Sequence, residues 1–237
     1  MGSRTQEQKA LLTDYDTGTA YSQAFYTLFA NIRFHWENQQ QDQEGQQDAC
    51  VTRVHSLQVT SASPYSGQAI VAANLAIVAA QSGAETILVD ANVREPAVRQ
   101  CFDLASGAGL SDLLEGGQIS PQKIATCLQQ TFIPGLRVLG AGSAPVQGSA
   151  LLLSPDLEQV VAGLRELLAA SGKPSGVVLF HSAPVLSGAD ASLLGALTEQ
   201  TVLAVIVGQT TRVQAKQAQE QLEQAHARLA GVVMLHP

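Results

Sequence analysis

The sequence predicts an α/β protein built on a parallel β-sheet covered by helices on both faces. Two observations carry this. Short, Val-rich apolar runs recur along most of the chain, and nearly all of them are apolar throughout rather than alternating, which marks strands buried on both sides. Between them lie stretches with apolar residues at helical spacing, so strands and helices alternate as in a parallel layered fold.

In chain order, residues 1–16 are polar and are expected to form a flexible N-terminus. From Thr17 to Trp36 the spacing of Ala20, Ala24, Phe25, Leu28, Phe29 and Ile32 predicts a helix, with Thr17 or Thr19 as its cap. Residues 37–50 are dominated by Gln and acidic side chains, cannot bury a face, and read as a linker. Residues 51–237 then form one α/β domain. Val54–Thr60 opens it as a strand, and a turn with Pro64 and Gly67 leads into an apolar helix, Gln68–Gln81. Further strands are expected at Glu85–Asp90, Leu136–Leu139, Val177–Phe180, Val202–Val207 and Val232–Leu235. Helices are expected near Ser111–Leu114, at Asp156–Ala170, at Ala189–Leu197 and at Arg212–Leu229.

Charge and cysteine content narrow the function. With 13 basic and 20 acidic residues the formal charge is −7, and charged residues are only 14% of the chain, so nucleic-acid binding through clustered Lys and Arg is not expected. The longest apolar stretch, Ala69–Ala80, contains Asn74 and is too short to cross a bilayer, which takes about 20 residues. No secretory pattern opens the chain, so a cytoplasmic protein without direct membrane insertion is expected. Three cysteines without paired spacing give neither a disulfide framework nor a zinc site, and no metal is expected.

Ligands of such sheets bind beyond the carboxyl ends of the strands. Three strand ends stand out: VTSASPYSGQAI (Val59–Ile70), ILVDANVREP (Ile87–Pro96) and VVLFHSAPVLSGAD (Val177–Asp190). Together with YSQAFYTLFANIRF (Tyr21–Phe34), GLSDLLEG (Gly109–Gly116), LRVLGAGSAP (Leu136–Pro145) and ALLLSP (Ala150–Pro155), they resemble, in family order, the cytoplasmic domain of the bacterial tyrosine kinases (BY-kinases). These are relatives of the ParA/MinD ATPases, and the resemblance implies a P-loop NTPase-like sheet with an N-terminal helix. It also implies ATP and Mg²⁺ as cofactors and a setting in capsule or exopolysaccharide production. The implied partners are a membrane polysaccharide co-polymerase or an intact kinase homologue, which would hold the chain at the inner face of the membrane. Oligomeric state is left open.

The departures from that pattern set the functional expectation. The family's phosphate loop ends P-G-E-G-K-S/T, whereas this chain reads PYSGQA, with Tyr65 at the first glycine, Gly67 retained, Gln68 at the lysine and Ala69 at the magnesium hydroxyl. In the second motif Asp90 is kept and Asn92 stands at the next carboxylate; in the third, His181 stands at the Walker B aspartate. The ring-forming E-x-x-R-x-x-R motif falls on Gln23, Tyr26 and Phe29, which are therefore read as an altered, less charged interaction surface. Phosphoryl transfer depends on positioning and charge stabilisation, and one lost preorganised donor costs about 2.7–4 kcal/mol. The expectation is a pseudo-kinase: no catalytic residue, no ATP or Mg²⁺, a vestigial nucleotide site and a protein-binding or regulatory role. The competing reading is an ATP-binding enzyme with residual tyrosine kinase or ParA-like ATPase activity. On simpler grounds Asp90 and Asn92 serve as strand-end and turn residues, as Asx side chains commonly do.

Overall fold

A computed structural model of the chain describes residues 11–14, 16–41, 52–65, 67–143 and 153–236. Much of the expected N-terminal tail and Gln-rich linker lies outside these, as do Ser66 and residues 144–152.

Seven strands form one sheet: β1 (Arg53–Ser61), β2 (Glu85–Asp90), β3 (Leu128–Gln130), β4 (Leu136–Leu139), β5 (Ser175–His181), β6 (Gln200–Ile206) and β7 (Leu229–Leu235). Their spatial order is β3-β4-β2-β5-β1-β6-β7. All pairings are parallel except that of β3 with β4. The helices are α1 (Ala20–Gln41), α2 (Gln68–Gln81), α3 (Val98–Cys101), α4 (Leu110–Glu115), α5 (Pro121–Cys127), α6 (Asp156–Ala169), α7 (Asp190–Leu197) and α8 (Arg212–Gln224). The expected α/β architecture is the one found, with apolar clusters on both faces of the sheet.

One face is covered by α2, whose residues other than Ile70 and Gln81 are all buried. A helix apolar all round must be enclosed, and α1 encloses it. Phe25, Phe29, Ile32 and Trp36 of α1 are buried in the same cluster as Val71, Leu75 and Val78 of α2. Each such side chain removed from water contributes roughly 1.5–3 kcal/mol. The opposite face is covered by α4, α5 and α6, where Leu110, Ile124, Leu157 and Leu164 pack on Ile87, Val89 and Phe180. A smaller cluster joins α7 and α8 to β6.

The structure departs from the sequence reading at several elements. Leu11 and Leu12, inside the tail expected to be loose, are buried, and the Leu12 amide donates to Asn74 Oδ1 of α2 at 2.9 Å. Helix α1 continues past Trp36 into the Gln-rich stretch as far as Gln41; Gln is a good helix former, and that propensity carries the helix onward. Helix α8 stops at Gln224 rather than reaching Leu229. His226 takes φ of 60° and the Ala227 amide turns back to Leu222 O at 2.9 Å, which frees Leu229 to begin β7.

Candidate functional site

β1 lies between β5 and β6, and its carboxyl end feeds the loop that starts α2. Gly67 is the N-cap of α2 and supplies no side chain to that cap. A Cβ at Gly67 would collide with the ring of Tyr65, so the glycine lets the aromatic side chain lie across the start of the helix. Gln68 follows and is 4% exposed. Its Nε2 donates to Ser182 O at 2.6 Å, and its Oε1 accepts from the Ser61 hydroxyl at 2.9 Å, a hydroxyl shared with Ser63 O at 2.8 Å. The amide therefore ties the end of β1 to the end of β5. Ala69, beside it, is buried.

β2 and β5 run side by side in a register that pairs Asp90 with His181. Both are buried. Asp90 Oδ2 accepts the amides of Ala97 and Val98 at 3.0 Å each and so caps α3, while its Oδ1 and the His181 Nδ1 have no hydrogen-bond partner. Burial outweighs the amide donors and the Arg99 charge and pushes the Asp90 carboxyl up to about 7. Burial alone pulls His181 down to about 4. The two strand ends thus present a carboxyl that releases its proton only near neutrality and an imidazole that stays uncharged. Asn92 accepts the Glu95 amide through Oδ1 at 3.3 Å and closes a turn.

Tyr65, Gln68, Ala69, Asn92 and His181 line one cavity of about 220 Å³, walled also by Ala97. The sequence reading named five of the ten residues that line it; Pro64, Glu95, Pro96 and Pro184 are the others beside Ala97. Asp90 lies beneath, engaged with α3, and Gly67 shapes the loop. Three contributors were missed. Ser61 and Ser182 fix the Gln68 amide, and Asp190 at the start of α7 pairs with Arg94 (3.3 Å). Both serines occur in the quoted strand ends, but nothing in their spacing distinguishes a hydroxyl that braces from one that binds.

Of the expected interaction residues, Gln23 is exposed and donates to Thr17 O at 2.7 Å, and Tyr26 donates through its hydroxyl to Gln81 Oε1 at 2.7 Å. Phe29 does not belong with them. It is 3% exposed and packs edge-on against Trp36 at 6.2 Å, because helical spacing puts it on the core face of α1.

At the other end of the sheet a larger cavity, about 390 Å³, is lined by residues that include Phe29, Arg33, Trp36 and His55. There Trp36 stacks flat on His55 (4.4 Å, 4°), His55 Nδ1 meets Glu199 Oε2 at 2.8 Å, and Arg165 meets Glu199 Oε1 at 2.7 Å. Burial opposes ionisation of Glu199, but its bonds and charge pairing with His55 and Arg165 outweigh that and hold it below the usual carboxylate range.

No family model matches the chain. It is 30% identical over 234 residues to the tyrosine-protein kinase YwqD of Bacillus subtilis, covering 98% of this chain and 87% of that protein. The solved structure titled BceF tyrosine kinase domain is 27% identical with a TM-score of 0.75, covering 98% of this chain and 83% of the other. A protein of Klebsiella pneumoniae named as a tyrosine-protein kinase of the cps region is 31% identical over 151 residues, 64% of this chain and 19% of that protein. At the level of fold alone, cobyrinic acid a,c-diamide synthase of Mycobacterium smegmatis, solved with a bound ATP analogue and magnesium, has a TM-score of 0.60 at 18% identity, covering 78% of this chain and 75% of the other.

Two expectations are corrected by these relatives. The expectation that the chain is not an enzyme gives way to kinship with proteins named tyrosine kinases. The expectation of no ATP or Mg²⁺ gives way to a fold shared with a protein solved with an ATP analogue and magnesium bound. The side chains in place nevertheless fit that pair of ligands poorly. The cation position is an amide bonded within the protein, Ala69 offers no hydroxyl, and His181 is a neutral ring whose Nδ1 is shut away from the cavity.

Proposed function

The chain belongs to the bacterial tyrosine kinases, the BY-kinase family, and we propose that it serves there as a regulatory, protein-binding domain in exopolysaccharide or capsule assembly. One observation carries this reading. Gln68, at the position where the family places a phosphate-binding lysine, spends both ends of its amide on Ser61 and Ser182. The side chain that would lead ligand recognition braces β1 against β5 instead. A fold retains its docking surfaces when a site on it changes, because the two are separable. The polysaccharide setting is supported by the relative named for the cps region. The proposed partner is the cytoplasmic segment of a membrane polysaccharide co-polymerase, or an intact kinase homologue. Either would hold the domain at the inner face of the plasma membrane, as no helix among the described residues is long and apolar enough to cross one.

The second reading, ATP-dependent transfer to tyrosine, is favoured by the names of the relatives. One paired experiment separates them. The purified chain is titrated calorimetrically with the cytoplasmic segment of a co-polymerase from its own host and, separately, with Mg-ATP, followed by mass spectrometry of Tyr15, Tyr21, Tyr26 and Tyr65. Saturable binding of the segment, unaffected by nucleotide, supports the docking role. Micromolar, magnesium-dependent ATP affinity with phosphate arriving on tyrosine supports the second reading, and absence of saturable binding to the segment overturns the first.

A further inference from the structure

β7 pairs with β6 on one side, and among the described residues no strand pairs its other side. Its sequence, LAGVVML, carries no charge and no proline. Edge strands are usually protected by a charge, a proline or a bulge. The one irregularity here falls at the start of the β6 ladder, opposite Thr201 and Val202, and leaves Gly231–Leu235 regular. Val232 and Met234 are 51% and 69% exposed. They pair in register with Leu203 and Val205, which pack in the same cluster as Ala218 and Leu222, so both point to the face that α8 covers.

We propose that this edge pairs with the β7 of a second copy of the chain, antiparallel, about a two-fold axis near Val232. The charge on α8 selects that occupant. α8 joins two parallel strands and so runs opposite to β7. It carries Arg212 and Lys216 in its first half and Glu220 and Glu223 in its second, all exposed. A two-fold axis normal to the sheet reverses α8 together with β7, and so sets the basic half of one helix beside the acidic half of the other. An isologous contact makes that match twice. The Lys216–Glu220 pair within α8, 3.5 Å and well exposed, is of the weak surface kind and leaves both groups free to exchange partners. Pairing also satisfies the outer row of amides and carbonyls and covers Val232 and Met234.

Sedimentation or light scattering from about 1 to about 100 µM tests this, and is expected to show a concentration-dependent approach to twice the chain mass. Val232→Lys and Met234→Lys, both at exposed positions, should each leave a monomer over that range, with unchanged circular dichroism as the control for folding. A second set avoids β7 altogether. Arg212→Glu with Lys216→Glu should weaken the dimer about tenfold, Glu220→Lys with Glu223→Lys should do the same, and all four together should restore it. A monomer at the top of the range overturns the proposal. So does a dimer indifferent to lysine at 232 and 234, or failure of the fourfold reversal to rescue. A monomer whose β7 amides shift on adding a peptide strand would also overturn it, and would assign the edge to another protein.

Discussion

The two ends of the sheet treat charge in opposite ways. At the carboxyl end, where ligands of this fold bind, Asp90 and His181 lie side by side with burial holding each toward its neutral form, and Gln68 fills the neighbouring position with an amide. At the amino end, Glu199 is ionised between His55 and Arg165, with Trp36 stacked over the imidazole. Asp90 and His181 are wholly enclosed and Glu199 only partly, and at each of them burial opposes the charge. Partners differ as well: a charge survives desolvation where an opposite charge and hydrogen bonds meet it, and is given up where they do not.

The pH dependence of stability should break this contrast most visibly. Folded Asp90 keeps its proton to about pH 7, whereas the unfolded side chain loses it near 3.8, so its contribution to stability is full at low pH and is lost as pH rises between those values. His181 has the opposite sign. Unfolded it gains a proton near 6.5 and folded only near 4, so stability is lost as pH falls through that window. Over the shared range the two offset, and the unmodified chain should show little slope from this pair. His181→Gln should expose the Asp90 term, gaining about 4 kcal/mol as pH falls from 7 to 3.8. Asp90→Asn should expose the histidine, losing about 3 kcal/mol between 6.5 and 4. Urea melts at half-unit pH intervals measure both; parallel curves for the two variants would show that neither group is held as described.

Gln68→Lys comes next in size. It removes the two bonds of the amide and leaves a cation where none is compensated, and should cost about 3 kcal/mol in a thermal or urea melt. The same variant sharpens the functional question. Tyr65→Gly, Gln68→Lys, Ala69→Ser and His181→Asp together should give a larger Mg-ATP-dependent rise in Tm than the unmodified chain shows, since a ligand that prefers the folded state must raise it. Groups that act as one unit are strongly non-additive, so Gln68→Lys alone should fall short of that rise. An equal rise from the single change would mean that Tyr65 and Ala69 do not obstruct the pocket.

The amino end offers the smallest effect. Glu199→Gln keeps the shape and removes the charge that meets His55 and Arg165, and should cost about 1–2 kcal/mol in a urea melt. An unchanged melt would show that these pairings do not stabilise the fold.

Which features were legible in the sequence follows from the range of the forces involved. β2 and α2 were read with their observed bounds, because uninterrupted apolar runs reflect burial on every side. β3 went unseen: LQQ is three residues long and polar, and only its antiparallel contact with β4 makes it a strand. The end of α8 was misplaced because the left-handed turn at His226 leaves no mark on apolar spacing. In the site, sequence order brought Tyr65, Gln68, Ala69, Asn92 and His181 to one cavity. The bracing of Gln68 by Ser61 and Ser182, residues seven before and 114 after it, is a tertiary fact that no local pattern carries. Phe29 had two readings, motif position and core spacing, and packing decided for the core.

The enclosure of α2 by α1 bears on the order of events at the ribosome. α1 is made first and presents Phe25, Phe29, Ile32 and Trp36 before any part of α2 exists to receive them. Next emerges residues 42–51, rich in Gln and acidic side chains, and only after β1 comes α2, apolar on every side. For that interval the nascent chain displays an unpaired sticky helix, the kind of surface that chaperones bind and that aggregates in their absence. Residues 42–51, mostly polar in sequence, add little further apolar surface during that delay.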